Sequence, residues 1–81
     1  MKITPSPKLF WFLKEGAELD LSHQGTLEMY VQQVVSMGKT EDVKFLLRNF
    51  KMEQLKRVFL NIKRFLPWEV MTFWEDFFAT H

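Results

Sequence analysis

The chain has 81 residues, 47% of them hydrophobic and 16% aromatic, with a net charge of +1 and no cysteine. That length suits one domain rather than two, with a core that must be efficient for its size. The missing thiols exclude disulfides, zinc–thiolate sites and cysteine nucleophiles, and so small a net charge implies no polyanion partner by itself.

The first element in chain order is a short helix. Residues 1–5 read as a disordered tail. Ser6 before Pro7 has the form of an N-cap and first helical position, and Gly16 that of a C-terminal stop. Between them lie Leu9, Phe10, Trp11, Phe12 and Leu13. So apolar a run could also be a strand, but the caps favour a helix. It is too short to span a bilayer and no small-residue cleavage site follows it, so a cytoplasmic protein without membrane association is expected. ELDLSHQG reads next as a connector with a single turn.

A second helix covers TLEMYVQQVVSM, with Leu27, Tyr30, Val31, Val34, Val35 and Met37 on one face and Gly38 closing it. Thr40 caps a third, whose Glu41 and Asp42 suit its positive end. Val43, Leu46, Leu47 and Phe50 form that helix's core stripe, and Phe45 lies off it. A fourth helix starts near Met52 and directs Leu55, Val58, Phe59 and Ile62 inward. Pro67 then opens a fifth, with Val70, Met71, Phe73, Trp74, Phe77 and Phe78 as its apolar residues. Short connections make neighbouring helices pack, so the expected fold is all-α, a compact single-domain bundle of about five short helices.

Candidate chemistry is sparse. The adjacent pairs Glu41–Asp42 and Glu75–Asp76 point about 100° apart on a helix and do not converge as acid and base. Asp20, Ser22 and His23 are the residue types of a hydrolase triad. They sit in one local turn, without the strained elbow that presents a nucleophile. A turn network is the better reading. His23 is expected to tie the connector to the bundle by a side-chain hydrogen bond, and the terminal His81 to be mobile. Metal ligands beyond His23 are not evident, and the glycines at 16, 25 and 38 stand alone without a phosphate loop. No catalytic residue, metal or cofactor is expected.

The stronger lead is charge distribution. Residues 44–64 carry seven Lys and Arg against Glu53, whereas residues 65–81 carry Glu69, Glu75 and Asp76 and no cation. On the fourth helix, with Met52 at zero, Lys63, Lys56, Leu60, Glu53, Arg64 and Arg57 fall between about 20° and 140°. Leu60 thus sits amid four cations, off the apolar stripe. Three readings compete: a solvated face, a protein-binding face, and a helix-turn-helix-like nucleic-acid binder using 52–64. A base reader prefers donors at the helix N-terminal end, where this helix offers Glu53 and Gln54. Its cations lie toward the C-terminus, where they also complement the helix dipole. With the aromatic excess, these features make a non-enzymatic protein-binding module the leading reading. The expected partner surface is Phe45, Lys56, Arg57, Leu60, Lys63 and Arg64, and the partner is another protein or a second copy.

Phe10-Trp11, LDLSH at 19–23, the helix ending at Gly38, EDVKFLLRNF, KRFLP and Phe73-Trp74 together resemble a family of small bacterial and archaeal helical proteins, known chiefly as a domain of unknown function. The resemblance covers residues 9–78. It implies an accessory or antitoxin-like companion of abortive-infection nucleotidyltransferase-type toxins, beside which such proteins are often encoded. The family positions that carry over are Phe10, Trp11, Asp20, His23, Gly38 and Trp74, none with a catalytic role. The chain departs from the family at Trp68, Glu69 and Val70, where relatives are more polar.

Overall fold

The computed structural model describes residues 1–80; the expectation for His81 lies outside them. The described residues form four α-helices and a very small two-stranded sheet. Strand β1 (Lys2–Ile3) pairs antiparallel with β2 (Leu19–Asp20), Lys2 opposite Asp20 and Ile3 opposite Leu19. The helices are α1 (Gln24–Met37), α2 (Thr40–Asn49), α3 (Met52–Ile62) and α4 (Trp68–Thr80), with a 3₁₀ turn (Lys63–Phe65) leading from α3 toward α4. The radius of gyration is 12.2 Å.

The start of the chain differs from the expectation in two ways. Residues 1–5 are not left as a tail, because Lys2 and Ile3 pair with β2 and the Leu21 N–H donates to the Met1 carbonyl at 2.7 Å. Residues 7–13 form turns instead of a helix, so four α-helices stand where five were expected. One helix-like bond, Phe10 N–H to the Ser6 carbonyl at 2.9 Å, is followed by a tighter one, Leu13 N–H to the Phe10 carbonyl at 3.0 Å. Five consecutive apolar residues define no stripe. The turns instead send Phe10 into the core and leave Trp11 and Phe12 exposed. Phe10 stacks on Tyr30, centroids 5.3 Å apart and planes within 3°. The Gln33 amide of α1 donates to the Leu9 carbonyl at 2.8 Å and holds the segment down. Gly16 closes it at φ 81°, in the left-handed region.

Helix α1 is central and packs on α2, α3, α4 and β2. Its Leu27, Tyr30, Val31, Val34 and Val35 are buried, at the spacing that gathers them on one side. Met37, expected on that face, is 66% exposed because it lies at the helix end beyond the core. Gly38 ends α1 with its N–H on the Val34 carbonyl at 2.8 Å. A Cβ there would lie 2.5 Å from that same oxygen, so the close approach requires glycine. Helix α2 takes Thr40, the expected cap, as its first helical residue. Lys39 holds the N-cap position and its N–H donates to the Asp42 carboxylate at 2.9 Å. Of the expected α2 stripe, Leu46 is buried, Val43 and Phe50 are half-buried and Leu47 is exposed, because α2 is covered on a narrower front than its apolar residues span. Leu55, Val58, Phe59 and Ile62 of α3 are buried as their spacing predicts.

Candidate functional site

Helix α3 buries one side and turns the other to solvent, and the basic residues divide across that boundary. Leu60 is 61% exposed. Lys56 is half-buried beside it, while Arg57 and Arg64 are exposed. Among the described residues, no carboxylate comes within ion-pair reach of Lys56, Arg57 or Arg64. The Arg64 guanidinium lies over the Phe65 ring, 4.8 Å from its centroid. Lys63 is committed within the chain: its ammonium donates to a Glu75 carboxylate oxygen at 3.4 Å and links the 3₁₀ turn to α4. Phe65 itself is exposed, as is Trp68 at the start of α4.

Five of the six expected partner residues therefore share one helix and the turn after it. Phe45 does not join them. It is half-buried on α2 and packs edge-on against Tyr30, centroids 6.3 Å apart. An off-stripe position on the wheel became a core contact because α1 supplies a ring next to it. On the far flank of α3, Gln24, Lys51, Glu53, Gln54, Arg57, Val58 and Asn61 line a shallow cleft of about 440 Å³. Its lining is polar apart from Val58, unlike the enclosed, mostly apolar sites that hold small molecules. No group of His, Asp and Glu among the described residues is arranged to hold a metal ion. No helix among them is long and apolar enough to cross a membrane.

The turn at 20–23 is organised by Asp20, and the His23 side chain takes no part in its hydrogen bonds. One Asp20 oxygen accepts from the Ser22 hydroxyl at 2.6 Å and from the Ser22 N–H at 3.0 Å. A triad would need the histidine between serine and carboxylate; here serine donates to the carboxylate directly. Those two hydrogen bonds are the main reason that the Asp20 carboxyl is lowered to a pKa of about 2; the amino group of Met1 and His23 contribute less, and partial burial opposes the shift. His23 is 73% exposed, and its Nε2 lies 3.6 Å from Asp20. It therefore does not act as the expected tie, since no buried partner depends on it. His23→Ala is expected to change stability by less than about 0.5 kcal/mol, read as a thermal melt. Asp20 carries the linkage to pH. Its folded pKa lies below the ordinary 3.8, so its stabilising effect is present above that value and is lost as pH falls toward 2. The melting temperature should fall over that window by less in Asp20→Asn than in the parent. Equal falls would assign the acid sensitivity to other carboxylates.

The exposed face of α4 was not apparent in the sequence. Phe73, one of the apolar residues of the fifth predicted helix, is 61% exposed, whereas its neighbour Trp74 is buried. The signal was present, because adjacent helical residues point 100° apart and cannot share the centre of one stripe.

Fold and face together define a small, mostly helical protein that presents a leucine among cations, three of which are in no ion pair among the described residues. No protein-family model, curated protein or solved structure matches the chain.

Proposed function

We propose that this chain is a non-enzymatic protein-binding module that docks its partner on the basic face of α3. The observation that carries this reading is Leu60, 61% exposed, with Lys56, Arg57 and Arg64 around it in no ion pair among the described residues. A single exposed leucine is ordinary on a protein surface. Phe65 and Trp68, in the turn after α3 and at the start of α4, are exposed apolar side chains as well, at 58% and 74%. An apolar centre with a charged rim is the anatomy of a protein interface. The family resemblance implies that such a module serves in an accessory, antitoxin-like role beside a nucleotidyltransferase-type toxin, without saying which of its faces is used. A cytoplasmic location belongs to the same proposal.

Leu60→Asp tests it. The position is exposed, so the variant should melt within about 0.5 kcal/mol of the parent. It should lose the protein that the parent captures from a lysate of its native host, identified by mass spectrometry. Identical capture by parent and variant would overturn the reading. So would duplex DNA or RNA binding that is tight at physiological salt and lost in the Lys56→Ala, Arg57→Ala double variant, because phosphate contacts would then account for the face.

A further inference from the structure

Helix α4 has more apolar surface than the fold covers. Trp74 and Phe78 are buried, and Met71 packs against the same core. Phe73 is left 61% exposed, with Val70 and Phe77 half-buried on the same ridge three and four residues away. Shallow apolar grooves of about 320 and 500 Å³ flank Phe73. Glu69 lines the first and Asp76 the second, both exposed and neither in an ion pair among the described residues. The α4 patch is therefore a large apolar side chain between carboxylates. The α3 patch is the same arrangement with the sign reversed, a leucine among cations. Each offers the charge that the other lacks. Such complementarity sets register and partner choice.

We infer that the partner of the α3 face is a second copy of this chain, which presents the Phe73 patch of α4 with Glu69 and Asp76 opposite Leu60, Lys56, Arg57 and Arg64. This rests on the reading of α3 as a protein-binding face and names its occupant. The two patches are different surfaces, so the contact is heterologous. Each added copy brings one patch of each kind, so association goes on to a closed ring if the rotation between copies closes and to an open filament if it does not.

Sedimentation at increasing concentration tests the inference with two charge reversals, Arg57→Glu with Arg64→Glu on α3 and Glu69→Lys with Asp76→Lys on α4. All four positions are exposed, and circular dichroism checks that each variant is folded. The parent should rise from the 9.8 kDa of one chain to twice that mass or more, and less so in high salt. Each reversal alone should stay at one chain's mass. The two reversals in one chain should restore association, because the complementarity is rebuilt with opposite signs. A parent that stays at 9.8 kDa throughout overturns the inference and leaves lysate capture on α3 unaffected, so the two readings fail separately. Association that survives either reversal, or is not restored by their combination, overturns the pairing of α3 with α4.

Discussion

Phe59→Ala is expected to destabilise the protein by about 3–5 kcal/mol, the cost of removing a large buried side chain and leaving a cavity. Phe59 is 3% exposed and its ring lies 5.1 Å from that of Phe78, tilted by 47°. It thus joins α3 to α4, and the Lys63–Glu75 bridge ties the 3₁₀ turn after α3 to α4 at the surface. A domain of this size has only about 4–12 kcal/mol of total stability, so the variant should lie near or beyond the edge of folding. Urea unfolding followed by circular dichroism checks it. A midpoint close to the parent's would mean that the ring is not part of the core. Phe59→Leu keeps most of the volume and should lose much less, which separates the cavity from any general intolerance of change at the site.

Trp74→Ala should cost at least as much, for an additional reason. The indole is 8% exposed and its Nε1–H donates to the Val35 carbonyl at 3.1 Å. Val35 lies in the last turn of α1, where carbonyls have no partner within their own helix. Its neighbour Val34 is satisfied by the Gly38 N–H, and Val35 depends on Trp74. The alanine variant loses the packing against Phe77 and Phe78, whose ring centroids lie 5.1 and 5.8 Å from the indole. It also leaves the carbonyl unpaired at about 1–3 kcal/mol. Trp74→Phe isolates the second contribution, since it keeps most of the ring and removes the donor. Hydrogen exchange at the end of α1 should then quicken. If Trp74→Phe melts with the parent and exchanges at the same rate, the bond contributes nothing and only the packing matters.

The long helices were readable because each repeats its apolar residues at helical spacing over at least ten positions. Leu55, Val58, Phe59 and Ile62 are buried as that spacing requires, and Leu60 stands outside among the cations. Most of the candidate face was therefore legible, since its residues lie on one helix and the turn after it, and a helix fixes directions locally. Phe45 was not, because its direction depended on Tyr30, fifteen positions earlier in the chain and brought near only when α1 and α2 packed.

The start of the chain shows the same limit more strongly. Pro7 and the apolar run suit a helix locally, yet Ile3 pairs with Leu19 and Phe10 seats against Tyr30. Those partners are distant in sequence, and no local preference states them. Phe73 and Leu47 were likewise apolar on paper and open in space. Spacing determines which way a side chain points from its own helix. Whether another element arrives to cover it is set by long-range packing, which in this protein covers α1 on several sides and leaves α2 and α4 partly open.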